Sequence, residues 1–291
     1  MKNRSVLNSP RLLELKKQKR KILRKKIFFV ISFVILILLG LSFLSKWEKI
    51  NINSVQIFGN KMIETENVEK IVRETIDGYY LWFFPKANFL LYPKKEIQEK
   101  LSKKFKRLNN ISLSVTDFKT LEISLSERIA LYTWCGMTPP DMKTEPDQNK
   151  CYFLDKDGYI FDEALYFSGE VYLKFYGMIS MDKDDPSGSY FFEPYFKRLI
   201  LFKEQIEKIG IKSAVFYIGD NGDIRMFLSS SSKQKMGPEI IFKTDANFNQ
   251  VLENLQSVLT TEPLQSDFKN KYSSLLYIDL RFGNKIYYKF R

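Results

Sequence analysis

Apolar and polar residues follow three textures along this chain. Nineteen consecutive positions, 27–45 (IFFVISFVILILLGLSFLS), carry no charge. As a helix they rise about 28 Å, close to the roughly 30 Å hydrocarbon core of a bilayer. Beyond them the pattern breaks into short amphipathic runs. In 52–59, Ile52, Val55 and Ile57 mark a strand that ends at Gly59-Asn60. Thr65 is placed to cap a helix, with Glu66 and Glu69 suiting its first turn. Val68, Ile71, Val72 and Ile76 form the apolar stripe of that helix, and Gly78 stops it. Pro93 opens a second helix on Ile97, Leu101 and Phe105, each four apart. Strict alternation follows twice, at Ile111, Leu113 and Val115 and at Leu121, Ile123 and Leu125. The predicted order is β-α-α-β-β, an amphipathic helix pair on one face of a small sheet.

The third texture is hairpin-like. CYFLDKDGYIF turns at Lys156-Asp157-Gly158 between apolar runs, and 171–177 (VYLKFYG) is a further strand. Asp155, Asp157, Asp162 and Glu163 invite a calcium-loop reading, but the glycine stands fourth rather than sixth, so the hairpin is preferred. Helical spacing marks 190–208, with Tyr195, Leu199, Phe202 and Ile206 inward and Gly210 as stop. A second hairpin turns at Asn221-Gly222, PEIIFK is a strand, and 248–259 is a helix on Val251, Leu252, Leu255, Val258 and Leu259. Two strands around Gly283-Asn284 complete an α+β domain with an antiparallel-rich sheet.

Charge gives the apolar run a direction. Residues 1–26 hold eleven Lys/Arg against Glu14 alone, which is +10 of the chain's net +12. That asymmetry expects the tail in the cytoplasm and everything after residue 45 across the membrane. The run is longer than a signal-peptide core and meets no Ala-x-Ala site, so an uncleaved anchor is expected. Lys46 and Trp47 suit the far interface. The tail's role is topology and attraction to anionic lipids rather than nucleic-acid binding, since no second basic excess builds a face.

Composition narrows the chemistry. The chain has no histidine, which removes Ser-His and Cys-His nucleophile pairs and the commonest zinc ligand. Its two cysteines, Cys135 and Cys151, flank a polar stretch with Pro139, Pro140 and Pro146. An extracytoplasmic compartment favours a disulfide there, and two reduced buried thiols are the alternative. The S-x-x-K match at Ser230–Lys233 lies in a serine run between strands, without K-T-G or S-D-N companions, and reads as a loop. Asp184-Asp185 and the Asp220/Asp223 pair sit in turn-forming sequence. No phosphate-binding glycine motif occurs. The expectation is a protein without catalytic, cofactor or metal residues.

One stretch resists assignment. YYLWFFPKANFLLY at 79–92 is half aromatic. Such a run most often lies over the sheet or caps the core. A membrane-grazing or partner-binding loop is the alternative, because Tyr and Trp favour wet apolar interfaces.

The whole layout resembles the FtsQ/DivIB family of bacterial division proteins. The likeness rests on VQIFGN at 55–60, with Gly59 and Asn60, then Thr65-Glu66, and on LEISLSER at 121–128, ending in Glu127 and Arg128 before Trp134. YFLD with DGYIF at 152–161 and YIDLRF at 277–282 extend it. The family often has proline and then alanine after Glu-Arg, where this chain has Ala130 and Tyr132. The resemblance implies a basic tail (1–26), a transmembrane helix (27–45), a POTRA domain (52–130) and an FtsQ-type β domain (131–291) carrying a polar loop at 136–150.

It also implies a non-enzymatic scaffold at the division septum of the cell membrane. Its partners would be FtsB/DivIC-like and FtsL-like bitopic proteins, and an FtsW/FtsI-like synthase. Family members use the last strand of the β domain as an edge that the partner extends. Here that edge is Phe282, Lys285, Ile286, Tyr287, Tyr288, Lys289 and Phe290, with no further residue expected to cover it. A free edge offers unpaired backbone groups for strand addition, although lysines are also how proteins blunt an unused edge. A POTRA-bearing chaperone or docking component of a secretion system is the alternative function.

Overall fold

The structure, a computed structural model, describes residues 10–139, 150–165, 171–179, 185–229 and 237–291. It is mixed α and β, with one long apolar N-terminal helix and a sheet-rich C-terminal part. Two compact units divide it. The first takes residues up to Lys103 with Asn110–Ser126, and the second takes Lys104–Asn109 with Glu127–Arg291.

The first unit begins with α1 (Pro10–Ser45), which runs without a break from the basic tail through the apolar segment. It is long and apolar enough to cross a membrane. There follow β1 (Ser54–Phe58), α2 (Thr65–Ile76), the short hairpin β2 (Tyr79–Tyr80) and β3 (Phe84–Pro85), α3 (Lys94–Lys104), β4 (Leu108–Thr116) and β5 (Thr120–Glu127). The strands order as β1-β5-β4, with β1 parallel to β5 and Val55 opposite Leu121. Val68, Val72, Ile97, Leu101, Leu121 and Ile123 are fully buried between the helix pair and the sheet.

Three expected details shift. Glu64 is the N-cap of α2, and Thr65 is its first residue, where Thr65 Oγ1 accepts from Asn60 Nδ2 at 3.0 Å. Pro93 stands just before α3, and Phe105 falls just after it. The aromatic run is only partly packed, and its tip is exposed. Its hairpin leaves Leu81, Trp82 and Leu90 at 80%, 91% and 75% exposure, and only Asn88 is buried.

The second unit contains β6 (Tyr132–Trp134), β7 (Tyr152–Leu154), β8 (Ile160–Glu163), β9 (Leu173–Gly177), α4 (Phe196–Lys208), β10 (Ser213–Ile218) and β11 (Asp223–Leu228). It continues with β12 (Glu239–Lys243), α5 (Phe248–Leu259), α6 (Leu264–Asn270), β13 (Leu275–Phe282) and β14 (Lys285–Phe290). All twelve elements but the helices join one nine-stranded sheet, ordered β14-β13-β12-β11-β10-β9-β6-β7-β8.

Hairpins supply antiparallel neighbours, but β6/β9, β9/β10 and β12/β13 run parallel. The sheet is therefore mixed but antiparallel-rich, as expected, with five antiparallel and three parallel pairs among the described strands. A parallel neighbour requires a crossover, and α4 makes one while α5 and α6 make another. Alternation along the strands separates two faces. Phe175, Phe216, Ile240 and Phe242 pack with Leu199, Phe202, Val251 and Leu255 of the helices. Tyr176 and Val215 form a smaller cluster with Cys135.

Cys135 and Cys151 are joined in a disulfide. Most of the polar loop between them, and the serine run with its S-x-x-K match, lie outside the described residues, as does Asp184. α4 starts at Phe196 rather than 190, so the buried aromatic of its first turn is Phe196, while Tyr195 is an exposed N-cap. α6 was not anticipated. Arg107 Nε donates to Asp162 Oδ2 at 2.6 Å, and its carbonyl accepts from Arg128 N at 2.7 Å, which ties 104–109 to the second unit.

Candidate interaction edge

The edge is built by the last hairpin. β13 ends Asp279-Leu280-Arg281-Phe282, the chain turns at Gly283-Asn284, and β14 returns antiparallel with Ile278 opposite Tyr288 and Asp279 opposite Tyr287. Alternation sorts the side chains of β14. Ile286, Tyr288 and Phe290 pack on the main core, whereas Lys285, Tyr287 and Lys289 are exposed on the other face. Phe282, 55% exposed, joins that outer face, its ring edge-on to Tyr287 at 5.4 Å. The structure thus brings all seven expected edge residues onto one hairpin.

The two ends of the sheet differ. At the β8 end, Ile160 N donates to Ser189 O at 2.9 Å and Gly188 N donates to Ile160 O at 2.8 Å. Tyr159 also bridges Tyr190, so passing chain covers the start of that edge. At the other end, β14 pairs with β13 and with no other described strand. An open edge carries a row of backbone donors and acceptors that another strand can extend.

Charge fixes the hairpin to the sheet. Arg281 Nη2 donates to Asp279 Oδ2 at 2.6 Å, while its Nε donates to Asp279 Oδ1 at 2.9 Å, a bidentate pair within β13. Its Nη1 reaches Asp223 Oδ2 at 2.6 Å, across to β11. Lys243 Nζ lies 2.7 Å from Asp223 Oδ1. Asp223 and Asp279 are almost fully buried. Burial pushes the Asp223 carboxyl up, but Lys243 and Arg281 outweigh it and hold its pKa below the usual carboxylate value. Hydrogen bonding to Asp279 first, then the nearby carboxylates, raises Arg281 against the cost of burial. Next to them, burial raises Glu239 despite Arg225 and Arg281.

Asp223 was expected in a turn. It is instead the first residue of β11 and the anchor of this cluster. Its sequence neighbours, Asn221 and Gly222, hide it, and its partner Arg281 lies 58 positions away.

The other motif residues serve the scaffold. Gly59 has φ +84°, and a Cβ there would meet the Leu125 carbonyl oxygen at 2.2 Å, so β1 leaves the sheet where only glycine fits. Asn60 Nδ2 donates to Ile63 O at 2.8 Å, shaping the entry to α2. Glu127 closes β5. Arg128 pairs with buried Asp155 and stacks 3.9 Å from the Tyr159 ring centroid. Asp155 Oδ1 accepts from Asp157 N and Tyr159 N, which makes 155–159 a hydrogen-bonded hairpin turn. Among the described residues no three Asp, Glu, Cys or His side chains converge on one point. No protein-family model matches the chain, and no curated protein matches it.

Proposed function

We propose that this chain is a membrane-tethered, non-enzymatic scaffold of the bacterial division machinery that captures its partners by strand addition on β14. The reading joins the FtsQ/DivIB resemblance of the motifs to one structural observation: among the described residues, passing chain pairs with Tyr159 and Ile160 at the β8 end of the sheet, whereas β14 pairs with β13 alone. The tail lies in the cytoplasm, α1 crosses the membrane once, and the two units work outside it at the septum. The three-stranded unit takes the place of the POTRA domain and the nine-stranded unit that of the family's β domain. The partners are FtsB/DivIC-like and FtsL-like bitopic proteins, with an FtsW/FtsI-like synthase coupled through them.

Strand addition draws affinity from main-chain hydrogen bonds and specificity from alternate side chains. The outward set on this edge, Phe282, Lys285, Tyr287 and Lys289, combines an aromatic pair with two cations. A partner strand bearing acidic and apolar residues in alternation fits it.

The test is co-purification of the full chain with bitopic division proteins from membranes. Deleting 285–291 abolishes capture, and Tyr287→Ala weakens it about tenfold, the scale of a moderate interface hot spot. Full capture by both variants would exclude β14 as the docking strand.

A further inference from the structure

The 79–91 segment carries the most exposed apolar side chains of the globular part of the first unit, and its position on α1 suggests a reason. Ser42 Oγ, in the last turn of α1, donates to Phe83 O at 2.9 Å. Asn88 Nδ2 donates to Ser45 O and Oγ at 3.4 Å each. Traced from Asn88 back to Phe83, the chain descends along the helix from the level of Ser45 to that of Ser42. At 1.5 Å per residue, that is about 4.5 Å toward the middle of the apolar run. Ser42 and Ser45 are buried by this contact, although every apolar neighbour on α1 is exposed. A serine hydroxyl at that depth needs a partner, since lipid offers none.

The tip lies one step further on. Phe83 N donates to Tyr80 O at 3.0 Å, closing a tight turn over Leu81 and Trp82. Both central residues have positive φ, +47° and +69°. Such turns favour Asn and Gly, because a side chain in this region is strained. Here the strained positions hold two large apolar side chains, at 80% and 91% exposure. A tip meant for water would carry neither. The rim has the opposite character. Lys46 Nζ sits 5.9 Å from the Tyr79 ring centroid, Lys86 Nζ 5.8 Å from that of Tyr80, and Lys49 Nζ 5.6 Å from that of Trp47. Ammonium groups over phenol and indole rings belong at headgroup level.

We propose that the 79–91 segment is a membrane-dipping hairpin: Leu81, Trp82 and Phe83 enter the interfacial layer of the outer leaflet beside α1, with Tyr79, Tyr80, Lys46 and Lys86 among the headgroups. The occupant of this patch is lipid, because the patch continues the exposed apolar surface of α1 itself. The hairpin gives the first unit a second attachment, so it is held against the membrane rather than swinging on a single helix. The proposal rests on α1 crossing the bilayer.

The experiment uses the full chain in nanodiscs of phosphatidylethanolamine and phosphatidylglycerol, with no other protein. The two native cysteines are bonded, so a single introduced cysteine takes a nitroxide label. Labels at Leu36→Cys, in the span, and at Met62→Cys, exposed beyond the far end of β1, set the lipid and water limits. The label at Leu81→Cys is expected to collide several-fold more with oxygen than with a water-soluble nickel chelate, as at Leu36. Should Leu81→Cys disturb the turn, Trp82 reports instead, as fluorescence quenching by brominated lipid that Trp82→Phe removes. A lipid signature at Leu36 with a water signature at position 81 and no lipid quenching of Trp82 overturns the hairpin alone, and leaves the patch to a protein partner. A water signature at Leu36 overturns the spanning helix and the hairpin with it.

Discussion

Asp223 is the residue on which the terminal hairpin depends. Two cations meet its buried carboxylate from different strands, Arg281 at 2.6 Å and Lys243 at 2.7 Å. Removing the charge leaves both cations short of a partner, which costs about 2 kcal/mol for a partly buried cluster. The sign of its pH dependence follows from the depressed pKa. The unfolded chain takes up this proton near pH 4, the folded chain only at lower pH. The stabilisation is therefore complete above the unfolded value and is lost as pH falls through the folded one. Thermal midpoints of the full chain in detergent are expected to lie well apart for wild type and Asp223→Asn at pH 7, and to converge below pH 4. A gap that stays constant down to pH 3 would remove the charge from the explanation. Glu239 has the opposite sign: burial raises it, so its ionisation at neutral pH opposes folding, and Glu239→Gln is expected to raise the midpoint at pH 7, with the gap closing as pH falls and Glu239 takes up its proton.

Elements carry the next level of cohesion, and the disulfide is the one covalent link between them. Cys135 follows β6 and Cys151 precedes β7, so the bond closes the polar loop where these strands pair. For a loop of about 15 residues the chain-entropy model assigns roughly 3 kcal/mol. Cys135→Ser is expected to lower the denaturant midpoint of the second unit by a corresponding amount, measured against wild type under oxidising conditions. Reductant should bring wild type down to the variant, and a midpoint insensitive to both changes would make the link dispensable.

Helices and hairpins of this kind were legible because their signals are local. The stripe Val251, Leu255 and its neighbours marks α5 with the observed ends, and Asn221-Gly222 marks the β10/β11 turn. What stayed hidden depends on distant partners. Parallel pairing of β12 with β13 leaves no trace in either strand. α6 is seven residues long and starts after Pro263, too short for a stripe to show. The same limit governed the candidate edge. Its residues were readable as a strand, but its openness depends on what lies at both ends of the sheet, and the Asp223 anchor on a contact spanning 58 positions.

At the scale of the whole molecule, the charge boundary at Lys26/Ile27 and the disulfide report on each other. The tail holds +10 of the net +12, so the sign of the remaining chain has little to say about orientation. Positive residues beside an apolar span stay on the cytoplasmic side, where the thiol pool keeps cysteines reduced. A disulfide between Cys135 and Cys151 therefore forms only if the tail has sent the second unit across the membrane. Exchanging Lys16, Lys17, Lys19, Arg20, Lys21, Arg24, Lys25 and Lys26 for glutamate reverses the charge difference and leaves every strand of both units untouched. In cells, wild-type chain is expected to resist a thiol-alkylating reagent unless it is first reduced. The exchanged chain is expected to gain the mass of two labels without reduction, because its cysteines remain inside. The reading fails if the exchanged chain is oxidised as fully as wild type, since orientation would then be set by something other than the tail. In the arrangement proposed above, with α1 spanning the bilayer and the hairpin dipping beside it, the tail decides which side the units occupy. The contacts at Ser42 and Ser45 then decide how closely the first unit is held there.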